Sequence, residues 1–248
     1  MSGHSKWSTI KRKKGAQDAK RSKIFSSLVK EIDIAVREGG ADPESNPRLR
    51  LAIANAKGAN MPKDNIERAV NKANRDPSDL QEVTYEGYAP NGIAVFIESL
   101  TDNNQRTVGN IRAIFNKRGG NLATNGSVGF LFERKGIITV PKERISDKEM
   151  FELEIIDAGA EDLDYEGEYL IITTSLETFG KVRKQLEAME TEPENAELQR
   201  IPMEYKQLDT EDAVKVLRII EELEYDDDVQ NVYHNLDVTD EVIRAMEG

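Results

Sequence analysis

Residues 134–205 read RKGIITVPKERISDKEMFELEIIDAGAEDLDYEGEYLIITTSLETFGKVRKQLEAMETEPENAELQRIPMEY. Ile137–Val140 is a short apolar run of strand type, Lys148–Ala158 has helical spacing, and Glu161–Tyr165 returns to strand. Tyr169–Thr174 is a further strand, Thr178–Met189 a helix and Glu197–Tyr205 a closing strand. The order is βαββαβ, that of ferredoxin-like folds.

On the N-terminal side, Val83, Tyr85 and Gly87 alternate, Asn91-Gly92 is a turn signal, and Ile93–Leu100 completes a hairpin. Helix Asn104–Lys117 points Val108, Ile111, Ile114 and Phe115 inward and stops at Gly119-Gly120. A strand is expected around Ser127–Glu133. On the C-terminal side, helix Glu211–Leu223 and strand Val229–Leu236 have nothing of their own to pack on. They close a sheet only with the earlier ββαβ segment. We therefore expect residues 134–205 to be a ferredoxin-like domain inserted in a discontinuous domain, 79–133 plus 206–240. A plain string of three domains is the alternative.

Residues 1–78 form a separate module, ended by the linker Asp76–Asp79. Phe25, Leu28, Val29, Ile32, Ala35 and Val36 recur at helical spacing up to Gly39-Gly40. Asn46-Pro47 is a cap followed by a first-turn proline, with Leu49, Ala52, Ile53 and Ala56 as the stripe and Gly58 as the end. Pro62 opens a third helix with Ile66, Ala69, Val70 and Ala73 inward. The fold class is thus α+β: an N-terminal helical bundle followed by two α/β sheet domains, one ferredoxin-like and inserted in the other.

Charge divides the chain at the same place. Residues 1–75 hold 17 Lys and Arg against 8 Asp and Glu, whereas residues 76–248 hold 17 against 38. The formal net charge of −12 hides a basic module on an acidic body, a pattern that points to a polyanion, nucleic acid first among them. Mutual attraction of the two parts, or plain solubility, is the other explanation. The densest stretch contains Lys6, Lys11, Arg12, Lys13, Lys14, Lys20, Arg21 and Lys23 against the single acid Asp18. With so little apolar surface, this arm is expected to order only on binding. Its cations suit phosphates. Trp7, the one tryptophan, stands near His4 and either stacks on an exposed base or anchors the arm on the helices. Arg48, Arg50 and Lys63, with Lys57, extend the positive surface. Arg106, Lys117 and Arg118 offer a secondary phosphate-contact face or merely a soluble one.

Little else carries chemistry. With no cysteine and only His4 and His234, thiolate zinc sites, disulfides and histidine clusters are excluded. No phosphate loop or dinucleotide fingerprint is present. Asp226-Asp227-Asp228 reads as a solvated turn rather than a cation site, and His234 as a structural histidine. No nucleophile and base stand in a recognisable arrangement, so no enzyme, catalytic residue, metal or cofactor is expected. Apolar runs reach about five residues, as in Ile93–Ile97, which is too short for a membrane span or signal core. A soluble cytoplasmic monomer without membrane contact is the expectation; a mitochondrial presequence is the competing reading of the basic N-terminus.

Several stretches together resemble one family. Residues 2–11, SGHSKWSTIK, with Arg21-Ser22-Lys23-Ile24-Phe25, are similar to the start of the YebC/PmpR family. Asn46-Pro47-Arg48-Leu49-Arg50, residues 59–66 (ANMPKDNI), residues 86–92 (EGYAPNG), Gly119-Gly120-Asn121-Leu122-Ala123 and residues 128–133 agree with it too. At Asn103-Asn104-Gln105-Arg106-Thr107 relatives often carry a further arginine, which weakens a phosphate role for that loop. The resemblance implies a three-domain cytoplasmic bacterial protein described as a DNA-binding transcriptional regulator. Mitochondrial members are translational activators, of cytochrome oxidase, and bacterial members are linked to ribosomes stalled on proline-rich sequences. Ribosomal RNA and the ribosome are therefore the alternative partners to DNA.

Overall fold

The computed structural model describes residues 18–247, with side chains for residues 21–246. Three helices come first: α1 (Asp18–Gly39), α2 (Pro47–Gly58) and α3 (Lys63–Arg75). Helix α1 starts earlier than the apolar periodicity announces, so Lys20, Arg21 and Lys23 lie on helix and not in an extended arm. Their shared core is built from small and branched side chains, among them Ile32, Ala35, Val36, Leu49, Ala52, Ala56, Ile66, Ala69 and Ala73. Small residues let the helices approach closely, so a thin module still packs.

Asn46 joins two of these helices. Its side-chain oxygen accepts the Leu49 N–H at 3.0 Å, which caps α2, while its amide donates to the carbonyls of Ala35 and Gly40 at 2.7 and 2.8 Å at the end of α1. One buried side chain thereby satisfies unpaired backbone groups of a helix start and a helix end.

The second part begins with the hairpin β1 (Gln81–Ala89) and β2 (Ile93–Thr101), antiparallel with Ala89 opposite Ile93. Its turn needs positive φ at Asn91 (60°) and Gly92 (69°), which the Asn-Gly pair supplies. Then come α4 (Asn104–Lys117) and β3 (Asn121–Leu122). Late in the chain, α7 (Thr210–Tyr225), β8 (Val229–His234) and α8 (Asp240–Glu247) are added. Between these lie β4 (Phe132–Pro141), α5 (Lys148–Asp157), β5 (Ala160–Glu166), β6 (Tyr169–Thr174), α6 (Leu176–Ala188) and β7 (Asn195–Pro202).

Two four-stranded sheets result, in the orders β3-β1-β2-β8 and β5-β6-β4-β7. The second is the ferredoxin-like arrangement, with Ile138 opposite Ile172 and Val140 opposite Leu170 in antiparallel register. These four residues share a core with Phe151, Ile155, Phe179, Val182 and Leu186 of its two helices. In the first sheet, Ile93, Val95 and Ile97 of β2 and Val229 and Val232 of β8 pack on Ile111 and Phe115 of α4 and on Ile219, Ile220 and Leu223 of α7. The chain thus shows the α+β class, an N-terminal helical region followed by two sheets with helices.

Compact packing gathers Ser78–Glu133 and Ile201–Gly248, with the start of α1, into one unit. The other unit contains Ile24–Pro77 and Arg134–Arg200, so the helical module and the ferredoxin-like domain pack together. Helix α2 lies on β7, an edge strand. The close approach requires glycine at 58, where an added Cβ would meet the Glu194 carbonyl oxygen at 1.9 Å.

Two expectations about elements are corrected. Ser127–Glu133 does not form a strand of the first sheet: Gly129–Leu131 is a single 3₁₀ turn and Phe132 opens the long β4 of the other sheet. The reason is Glu86 on β1. Its buried carboxylate accepts the N–H groups of Gly126, Val128 and Gly129 at 2.8, 2.5 and 2.9 Å, so these are withdrawn from any strand ladder. The third strand of the sheet is instead the two-residue β3. Helix α8 was not expected. Val242 and Ile243 of this helix are buried in the first sheet's core.

Candidate nucleic-acid interface

The basic module contributes cations of several kinds. Of the residues singled out in the sequence, His4, Lys6, Trp7, Lys11, Arg12, Lys13 and Lys14 lie outside the described residues. Lys20 is on α1. Arg21 is exposed on the same helix, and Lys23 donates to the Asp226 carbonyl. Arg48 is committed within the module: it meets Glu38 at 2.6 Å and Glu31 at 3.5 Å, tying α2 to α1. Arg50 is half-buried and donates to the Glu44 carbonyl at 3.1 Å. Lys63 is 85% exposed, with Glu67 at 3.6 Å one turn on. Such an exposed pair holds its lysine weakly.

Helix α3 adds a row that the sequence reading did not single out. Arg68, Lys72 and Arg75 recur at helical spacing on the side away from Ile66, Ala69 and Ala73. Arg68 donates to the Asp64 carbonyl and to Asn65, whereas Lys72 and Arg75 are exposed and make no ion pair among the described residues. Lys57 on α2 is also exposed. The signal was available: three basic residues at i, i+4 and i+7 opposite an apolar stripe. Even so, residues 24–75 hold nine basic and seven acidic residues, so most of the positive excess resides in residues 1–23.

The second group of named cations is held by carboxylates. Arg106 donates to Asp228 at 2.6 Å and to Asp102 at 2.8 Å. Hydrogen bonds to these two carboxylates raise its pKa further above the ordinary arginine range, Asp228 contributing most. Asp228 is no solvated turn residue. Its side chain is 8% exposed and also accepts from Thr107 at 2.8 Å and Thr101 at 3.2 Å, joining α4 to the start of β8. Lys117 and Arg118 converge on Glu222 of α7 at 3.0 and 3.1 Å. Hydrogen bonding, first from Lys117, holds the Glu222 carboxyl below the usual carboxylate range. Both clusters fasten helices of the first sheet.

His234 is fully buried in β8, opposite Val95. Among the described residues no group of His, Asp and Glu is arranged to hold a metal ion, and no helix is long and apolar enough to cross a membrane.

With this geometry in place, comparison with known proteins assigns the family. Residues 5–76 match the TACO1/YebC protein N-terminal domain, and residues 80–236 match the TACO1/YebC second and third domain. A probable transcriptional regulatory protein of Rubrobacter xylanophilus is 49% identical, with 100% of each chain covered. One from Amoebophilus asiaticus is 52% identical, over 95% of this chain and 98% of its own. The crystal structure of a conserved hypothetical protein from Aquifex aeolicus superposes with a TM-score of 0.80 at 45% identity, covering 88% of this chain and 91% of that one. Two domain models that together account for nearly all of the sequence, and relatives of full length at about half identity, leave one assignment: the chain belongs to the TACO1/YebC family.

Proposed function

We propose that this chain is a non-enzymatic regulator of gene expression that binds nucleic acid through its N-terminal module, in the first instance a DNA-binding transcriptional regulator. The observation that carries the reading is the placement of charge. Residues 1–23 concentrate eight basic residues against one acid, ahead of a body dominated by carboxylates. A polyanion is drawn to the one and repelled by the other, which orients the encounter. Lys57, Lys63, Lys72 and Arg75, exposed on α2 and α3, add further cations to the N-terminal module. The names of the full-length relatives, probable transcriptional regulatory proteins, support the regulatory part.

Ribosomal RNA is the second reading, favoured by one feature. Trp7 is an aromatic inside a cationic segment, the combination that suits unpaired bases better than a stacked duplex. In either reading the acidic body is a spacer or a protein-binding part, and the chain works in the cytoplasm. The test is to cross-link the protein to nucleic acid in cells and sequence what is attached. Promoter DNA supports the first reading and ribosomal RNA the second. Recovery of neither, with the same yield from a variant in which Lys11, Arg12, Lys13 and Lys14 are glutamine, overturns both.

A further inference from the structure

Acids run through the body of the chain except for one gap. Residues 76–248 hold 38 acids, yet residues 103–132 contain none, and four basic residues, Arg106, Arg112, Lys117 and Arg118. Helix α4 (Asn104–Lys117) fills the first half of this gap. Its inner side buries Thr107, Ile111 and Phe115. Its flank toward α7 is spent on that helix and the turn after it: Asn110 donates to Asp226 at 2.9 Å, Arg106 is held by Asp228, and Lys117 and Arg118 are held by Glu222.

Gln105, Gly109, Arg112 and Asn116 make the outer side. They stand at i, i+4, i+7 and i+11, within about 60° of one another around the helix axis, and all four are exposed. Among the described residues the side chains of Gln105, Arg112 and Asn116 make no hydrogen bond and no ion pair. Arg112 is thus the cation of α4 that the fold leaves unused. Gly109, in the middle of this side, also lacks an internal reason. Glycine is the least favourable interior helix residue after proline, and a helix keeps one for a left-handed φ or a close approach. Gly109 has no positive φ, and a Cβ added there would meet nothing within 4 Å. Gly180 on α6 is equally open, but Glu177 stands one turn before it. Gly109 differs in its company of two amides and a guanidinium, on a helix with no carboxylate.

Such a side is complementary to a polyanion that comes close and offers hydroxyls beside its phosphates. The major groove of B-form DNA, about 12 Å wide, admits a single helix, whereas α4 lies beside α7 and the two form one layer on the first sheet. A-form RNA instead presents a wide, shallow groove lined by 2′-hydroxyls, which a flat helical layer can meet. We propose that the outer side of α4 docks on the backbone of double-helical RNA. Arg112 takes a phosphate, the amides of Gln105 and Asn116 meet ribose hydroxyls, and Gly109 lets the strand approach. This rests on the reading of the chain as a nucleic-acid binder, in its RNA form, and gives the acidic body a contact of its own.

The experiment titrates the full-length protein with a fluorescent RNA hairpin and with a DNA duplex of the same stem sequence, over a series of salt concentrations. Wild type is compared with Arg112→Gln, Arg112→Lys, Gly109→Ala, Gly109→Leu and Gly180→Ala, and the melting temperature of each is measured. Arg112→Gln is expected to bind the hairpin about 5- to 10-fold more weakly and to lose up to about 0.9 from the salt slope, at an unchanged melting temperature. Arg112→Lys should keep the slope without the full affinity, since an ammonium lacks the fork. Gly109→Ala and Gly180→Ala should both raise the melting temperature, as alanine does in an exposed helix interior. Only the changes at Gly109 should weaken RNA binding, leucine more than alanine. Wild-type affinity and slope in Arg112→Gln and Gly109→Leu overturn the docking side and leave the N-terminal module as the binder. So does a clear fall in the melting temperature of either, which would mark a side already used within the protein. Equal losses on the DNA duplex overturn the choice of RNA, as does a wild type that binds DNA alone. A wild type that binds neither nucleic acid overturns the docking and the functional reading together.

Discussion

The side-chain amide of Asn55 pairs with the backbone of Ala196 as a strand would, donating to its carbonyl at 2.9 Å and accepting its N–H at 3.0 Å. Ala196 is on β7, at the edge of its sheet, where backbone groups have no further strand to meet. An exposed edge invites pairing with other chains. Here a helix from the N-terminal module covers part of it with one side chain, and Gly58 lets the helix come close enough to do so.

Asn55→Ala leaves both backbone groups of Ala196 without their partner. Truncating one side of a buried pair costs about 1–3 kcal/mol, so urea denaturation should show a lower midpoint with an unchanged slope. Gly58→Ala acts on the same contact by steric means and is expected to cost at least as much. A double variant should lose less than the sum of the two singles, because either change already loosens the helix from the strand. Full additivity would show that the two residues do not act on one contact.

Glu86 sets up a different kind of prediction. Its carboxylate receives three backbone N–H groups from the segment 126–129, and an amide in its place turns a donor toward donors. Glu86→Gln is expected to destabilise by about 2–4 kcal/mol and to open this segment to proteolysis before the rest of the sheet. Unaltered cleavage kinetics around residues 124–131 would count against the carboxylate as the organiser of the loop.

Acid sensitivity follows from Glu222. Lys117 and Arg118 depress its pKa in the folded chain. A depressed carboxyl contributes stability that is present above its unfolded pKa, about 4.3, and is lost as pH falls through the lower folded value. Replacing Lys117 and Arg118 by methionine should therefore lower stability at pH 7. The difference from wild type should shrink as pH falls below the unfolded pKa and through the lower folded one, beneath which wild-type Glu222 is protonated as well. Chemical denaturation of both proteins between pH 3 and pH 7 reads this directly. A constant difference across that range would assign the effect to packing.

Local signals carried most of the fold. Asn46-Pro47, Asn91-Gly92 and the stretch Tyr169–Thr174 state their conformations within a few residues, and the structure follows them. The pairing of β8 with β2 follows from the same kind of reasoning, since a lone helix–strand pair has nowhere of its own to bury its apolar faces. What the sequence did not disclose depends on partners far away. Glu86 meets Val128, 42 residues on, and Arg106 meets Asp228 across 122. An acid in a strand pattern reads as a solvent-facing residue until the loop that it organises is known. Helix α8 was missed for a simpler reason, since eight residues give an apolar stripe barely two turns long.

Trp7 separates the two regulatory readings, although it lies outside the described residues. A contact with phosphates alone needs charge and not an aromatic ring. If the N-terminal segment enters folded RNA, Trp7→Ala loses stacking worth about 1–3 kcal/mol on ribosomal RNA and changes duplex DNA binding little, because duplex bases are already stacked. If the ring is buried on the helices instead, the same change lowers the melting temperature and weakens both ligands together. If stability holds while sequence-specific duplex binding is abolished, the transcriptional reading is the one supported. The expected outcome is loss on RNA with stability nearly intact, since the residues around Trp7 are polar and cationic and offer little apolar surface to bury it. Thermal melting and two affinity titrations on this one variant distinguish the three cases. Wild-type behaviour in all three measurements would remove Trp7 from the interface.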